Sequence, residues 1–190
     1  CFVFHTFNAY DGPNGTVILE AVRYDELWVE GPYSFDRPGK VVRFTFDPAA
    51  GTGKYDVLDD RPLEFPQIDR RLQGKKHRYG YGVWLGEPDL EYRRLAGTRG
   101  LLKHDLQNGG TQSLELAPAE SADEAFFVPA SDKSGEDEGY LLSYVYDRRT
   151  ERTSLYILDA QDIEAGPVAK VKLPVRVPFG FHGDWVPAGS

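Results

Sequence analysis

Tyr140-Leu141-Leu142-Ser143-Tyr144-Val145-Tyr146 and Thr153-Ser154-Leu155-Tyr156-Ile157-Leu158 are two aromatic and β-branched runs separated only by the polar turn Asp147 to Arg152. After a second turn, Asp159 to Pro167, the run Val168 to Leu173 makes a third. Short apolar runs of this composition, closed by polar turns, describe an antiparallel meander. The pattern recurs upstream. Val42, Phe44 and Phe46 alternate with Val41, Arg43 and Thr45, turn at Asp47-Pro48, and return at Tyr55 to Leu58. Leu101 to Leu106 turns through Asn108-Gly109-Gly110 into Gln112 to Leu116. Val3 to Tyr10 and Thr16 to Val22 flank Asp11-Gly12-Pro13-Asn14-Gly15 as a hairpin. No helical stripe competes with these runs. Up-and-down strand groups of this kind fit a β-propeller, a sandwich or an open barrel. We favour the propeller, whose blades tolerate irregular connections such as 23–40 and 117–137 between them.

The composition narrows the function. The chain has 190 residues, 41% of them hydrophobic, enough for a sizeable core. Its 22 Lys and Arg against 30 Asp and Glu give a net charge of −8, which argues against nucleic acid or anionic lipid as a partner. No apolar run is long enough to cross a bilayer as a helix. The single cysteine, Cys1, forms no internal disulfide, so a reducing compartment, the cytoplasm, is expected. There is no Met, and residue 1 is a Cys within an apolar stretch, so we read a piece of a longer protein.

Histidine is where chemistry concentrates. His182 lies in Val177-Pro178-Phe179-Gly180-Phe181-His182-Gly183-Asp184-Trp185, read as the last strand and its continuation, with aromatics that predict an enclosed imidazole. His5 sits among phenylalanines in the first strand. Two acids stand beside apolar turns, Glu64 in Leu63-Glu64-Phe65-Pro66-Gln67-Ile68 and Glu124 in Asp123-Glu124-Ala125-Phe126-Phe127-Val128-Pro129. A buried carboxylate needs donors, and a metal-bound imidazole gives its other N–H to a carboxylate. Two histidines and two acids would make a coherent metal site; without such pairing they are core residues and turn caps. His77, between Lys76 and Arg78, reads as a solvated turn, and His104 as a half-buried strand residue. Glu136-Asp137-Glu138 reads as a solvated loop.

These segments resemble a known family. His5-Thr6-Phe7-Asn8-Ala9-Tyr10-Asp11 is similar to the H-x-x-N-A-[aromatic]-acid segment of the carotenoid cleavage oxygenases, although many of them carry Glu where Asp11 stands. Glu64-Phe65-Pro66-Gln67-Ile68 resembles their E-F-P-x-I segment, Glu124 to Pro129 their E-x-x-F-V-P, and Phe181-His182-Gly183 their terminal F-H-G. All four occur in the family's order. The resemblance runs from residue 1 to residue 187 and covers only the family's C-terminal part, so residues 1–190 would be the C-terminal part of one propeller domain.

The resemblance implies an all-β fold, the C-terminal blades of a seven-bladed β-propeller, with non-haem Fe(II) held on its axis by four histidines, three of them backed by glutamates. His5 and His182 would be two metal ligands, Glu64 supporting His5 and Glu124 supporting His182, with the other two ligands outside this chain. The implied reaction uses O2 to cleave a conjugated carbon–carbon double bond into two carbonyls. The implied substrate is a hydrophobic polyene, a carotenoid or apocarotenoid, or a stilbene-like compound. Tyr10, Phe179 and Phe181 are tunnel candidates, each with core packing as the alternative use. Because polyenes reside in bilayers, peripheral membrane contact is expected. Two histidines alone do not hold iron, so this chain by itself is expected to be inactive. The rival reading is a non-catalytic binding propeller with both histidines in its core. A further alternative, a two-His-one-carboxylate site, requires Glu64 or Glu124 to face the metal directly.

Overall fold

The structure, a computed structural model, describes residues 1–26, 38–86, 98–178 and 180–187. Twelve strands appear among them. β1 (Phe2–Asp11), β2 (Val17–Tyr24), β3 (Lys40–Asp47) and β4 (Thr52–Asp59) form one four-stranded sheet in sequence order. β5 (Leu63–Gln67), β6 (Tyr79–Leu85), β7 (Thr98–Asp105) and β8 (Thr111–Glu115) form the second, and β9 (Glu120–Pro129), β10 (Gly139–Asp147), β11 (Arg152–Asp159) and β12 (Pro167–Lys172) the third. Every pairing is antiparallel between sequence neighbours. The chain is all-β, and its three meander sheets are blades of a β-propeller.

The sheets pack face to face. Phe7, Val22, Tyr24, Leu63 and Leu102 join the first sheet to the second, while Tyr81, Leu101, Phe127 and Leu141 join the second to the third. Tyr81 and Phe127 stack with centroids 5.7 Å apart. Polar contacts also cross. Asp59, at the end of β4, accepts from His104 Nε2 at 2.9 Å and Thr111 Oγ1 at 3.3 Å, both on the second sheet. Burial alone would raise the Asp59 carboxyl, but the hydrogen bonds from His104 and Arg61 outweigh it and hold it well below the usual range.

The two connections read from sequence as lying between blades do not. Residues 23–40 join β2 to β3 inside the first sheet, with 27–37 outside the described residues, and 117–137 contains β9. Val177 is in no strand; the last ends at Lys172. The sequence gives no sign of β6 (Tyr79–Leu85) either. β6 contains Gly80 and Gly82, which weaken a strand signal, yet a Cβ at Gly80 would stand 2.7 Å from the Phe7 ring and one at Gly82 2.6 Å from Leu63. Close packing against the first sheet requires Gly80, and close packing against the adjacent strand β5 requires Gly82.

His104 is fully buried, not half-buried, because its ring is enclosed between the first two sheets. His77 departs further. Lys75, Lys76 and Arg78 are exposed, while His77 turns inward, 1% exposed, with Nδ1 3.2 Å from Asn8 Nδ2 and Nε2 3.1 Å from Glu20 Oε2. Asn8 explains why. Its side chain donates to the carbonyls of Leu72 and Lys75 and accepts from Gly74 N, which pins the loop that delivers His77. Glu136 and Asp137 are not simply solvated: Glu136 accepts from the backbone N–H of Arg78 and Tyr79, and Asp137 pairs with Lys103.

Burial and the nearby Arg43 charge push the His77 imidazole down to about 4 from its ordinary 6.5. A folded pKa below the unfolded one means that the unfolded state binds the proton first as pH falls, so stability is present above pH 6.5 and lost between 6.5 and 4. Glu20, raised chiefly by burial, acts in the opposite sense near its own titration. The His77 contribution, about 3 kcal/mol at most, is isolated by comparing the intact protein with His77→Gln. We expect wild type to lose more thermal stability than the variant between pH 7 and pH 4. Parallel losses would remove this account.

Candidate metal centre

Among the first strands of the three sheets, β5 neighbours both β1 and β9. β5 and β9 each carry one extra residue relative to their partner strands, and β1 carries two. On β1 the register slips between Val3 and Thr6, which bracket His5; on β5 between Glu64 and Gln67; on β9 between Ala122 and Ala125, which bracket Glu124. A β-bulge re-aims side chains and breaks the two-residue alternation. Glu64 and Gln67 flank the bulge on β5: three residues apart, they pair with Val83 and Tyr81, only two apart, and they reach His5 on the first sheet and Glu124 on the third.

The structure brings His5 to Glu64 and His182 to Glu124. His5 Nδ1 lies 2.6 Å from Glu64 Oε2, which also accepts from Phe65 N at 3.0 Å; Tyr24 Oη donates to Glu64 Oε1 at 2.5 Å. Burial, then the Glu64 charge, push the Tyr24 hydroxyl strongly up, so it remains a donor. His182 Nδ1 lies 3.2 Å from Glu124 Oε1, Gln67 Nε2 donates to that same oxygen at 2.6 Å, and Gly183 N donates to Glu124 Oε2 at 2.6 Å. Both carboxylates are buried. The two imidazoles converge at 5.1 Å between centroids, nearly perpendicular at 79°, and the Phe65 ring touches both. Phe65 holds a left-handed backbone, φ 54°, uncommon for a bulky residue and suited to a strained functional turn.

His182 is not enclosed. Its side chain is 56% exposed, and Phe181 and Trp185 beside it are exposed too, because the described residues from Pro174 onward lie in no strand. Apolar sequence buries a residue only when an opposing surface exists. Tyr10 is buried against His77 and Glu20, a packing role; Phe179 lies outside the described residues. A cleft of about 180 Å³ beside His182 is lined by Phe126, Tyr144, Val177, Pro178 and Phe181. A larger one of about 330 Å³, lined by Arg78, Tyr79, Lys103, Asp105 and Asp137, includes neither converging histidine and has a charged wall ill suited to a polyene.

Among the described residues no group of three or more His, Cys, Asp or Glu is placed to hold a metal ion. The donor chemistry of the pair nevertheless fits part of a larger ligand set. With a carboxylate accepting at Nδ1, each ring carries its proton there and keeps the Nε2 lone pair for a metal. Glu64 and Glu124 are occupied by their histidines and by backbone N–H groups, which argues against either facing a metal directly. Tyr24, Gln67 and the bulges were absent from the sequence reading. Only the bulges left a trace there, in the broken alternation around each acid.

The family profile described as RPE65, retinal pigment epithelial membrane protein, matches residues 1–187. The chain belongs to the RPE65/carotenoid cleavage oxygenase family. It is 36% identical to "Apocarotenoid-15,15'-oxygenase" of Synechocystis over 97% of this chain and 38% of that protein, and 36% identical to "Carotenoid cleavage oxygenase" of Mycobacterium tuberculosis over 98% and 38%. "Lignostilbene-alpha,beta-dioxygenase isozyme III" of Sphingomonas paucimobilis is 31% identical over 78% and 32%. The solved structure of cobalt-substituted Synechocystis ACO superimposes with a TM-score of 0.85 at 36% identity, covering 97% of this chain and 39% of that one. This family member thus spans well under half the length of its curated relatives.

Proposed function

We propose that the intact protein, with this chain as the C-terminal part of one propeller domain, is a non-haem Fe(II) dioxygenase that cleaves a conjugated double bond of a carotenoid or apocarotenoid. The observation that carries the reading is the convergence of His5 and His182, each with Nδ1 on its own buried glutamate. Two further histidines from the remaining blades would complete the set. Bound Fe(II) supplies the activation of O2, which no organic side chain here provides. The chain's residues hold and shape: Glu64 and Glu124 keep the Nδ1 protons in place and the Nε2 lone pairs free, while Phe65 and Phe126 present apolar surface that favours a polyene over water. The stoichiometry closes without a reductant, since one C=C and one O2 become two C=O. No helix among the described residues is long and apolar enough to cross a membrane. A cytoplasmic location with peripheral membrane contact, where the protein would meet a bilayer-dissolved substrate, is part of the same proposal.

The lignostilbene dioxygenase relative favours a second reading of the same chemistry on a stilbene. One assay separates them. Iron-loaded intact protein is incubated under O2 with an apocarotenoid or with a hydroxylated stilbene, and carbonyl products are identified by mass spectrometry. Two O2-dependent carbonyls from the polyene support the first reading, products from the stilbene alone support the second, and no cleavage of either overturns both.

A further inference from the structure

The geometry points to Gln67 as a positioning residue for the His182 arm of the centre, and so to β5 as a strut that serves both histidines; this rests on the metal-site reading above. Glu124 Oε1 receives Gln67 Nε2 at 2.6 Å and His182 Nδ1 at 3.2 Å, so the amide and the imidazole meet on one oxygen. The amide orientation follows from chemistry, because the opposite one would set its carbonyl against a carboxylate. Gln67 therefore acts here as a donor. His182 needs such help more than His5 does. His5 is built into β1, whereas the described residues around His182 form no strand, and the polar contacts at the imidazole and at the next residue, Gly183, both run to Glu124. The position of Glu124 decides where His182 stands, and Gln67 is the side chain on a neighbouring sheet that fixes it. Glu64 before the β5 bulge bonds His5 and Gln67 after it bonds Glu124, so one strand sets the partner of each imidazole.

Cobalt(II) is the probe, because its visible spectrum reports ligand number and geometry. Dissociation constants by chelator competition are compared for intact wild type, Gln67→Met and Gln67→Glu, both close to glutamine in length. We expect each variant to bind cobalt roughly 10- to 100-fold more weakly, with an altered spectrum and unchanged circular dichroism. Gln67→Glu should lose more, since it sets a second carboxylate against Glu124. A packing role alone would leave the Gln67→Met spectrum unmoved. If wild type binds no cobalt, or binds it equally after His5→Ala and His182→Ala, the metal-site reading falls and takes this assignment with it. If cobalt needs both histidines but ignores both Gln67 variants, only the role of Gln67 is overturned.

Discussion

Intact His5→Ala and His182→Ala proteins should each retain less than about a tenth of the iron held by wild type after dialysis against a chelator. Fe(II) stands low in the affinity order of divalent metals, so a set of neutral imidazoles holds it only while the geometry is complete. Removing His5 also strands Glu64, buried and still facing Tyr24 and the Phe65 N–H, where no ligand replaces the lost nitrogen. Removing His182 leaves Glu124 with Gln67 and Gly183 and the same deficit. His77→Ala and His104→Ala serve as controls, since their rings are committed to Asn8 and Glu20 and to Asp59 and should leave iron content unchanged in whatever protein folds. Elemental analysis decides. Iron retained by both His5 and His182 variants, or lost equally from the controls, would sink the shared centre and restore the binding-propeller reading.

The second large effect is on stability. Glu20 is fully buried, and its Oε1 accepts from Arg43 Nε at 2.8 Å and Arg43 Nη2 at 2.5 Å and from Tyr10 Oη at 3.4 Å, while Oε2 faces His77. Arg43 also reaches the Leu106 carbonyl on the second sheet, so the cluster ties two blades together. Taking one partner from a buried charge pair costs about 3–5 kcal/mol, because the remaining charge is desolvated and unmatched. Glu20→Ala should accordingly lower the melting temperature of the intact protein by roughly 4 °C, since a protein longer than this chain unfolds with proportionally more entropy. Glu20→Gln, which keeps one acceptor oxygen, should lose about half as much free energy. A Glu20→Ala loss below about 1 kcal/mol would mean that the cluster is solvated in a way its geometry does not show.

Strands with regular alternation or continuous apolar runs, such as β3, β10 and β11, were legible because one period governs them. β5, β6 and β9 were harder for separate reasons: Pro66 and the left-handed Phe65 interrupt β5, glycines dilute β6, and acids dominate the start of β9. The candidate site was legible through its four motif segments, and the structure pairs the residues they contain. What composition conveyed badly was burial. Around His182 aromatics suggested enclosure that the described residues do not provide, and around His77 basic neighbours suggested solvent where Asn8 draws the ring inward. Both errors have one cause. Local sequence reports the character of a segment, whereas burial depends on the surface that faces it.

The two histidine–glutamate pairs span 59 and 58 residues of chain. Neither can form within a hairpin: the first joins the first sheet to the second, and the second joins the first strand of the third sheet to the segment that follows its last. Contacts of such separation are made late, after the loop-closure entropy of the intervening chain has been overcome. An ion captured there would thus arrive at a centre that assembly has already built, and would act as a clasp on completed sheet docking rather than as a nucleus for it. Its binding free energy would add to the stability of the docked state alone, slowing the separation of the sheets while leaving their individual formation untouched.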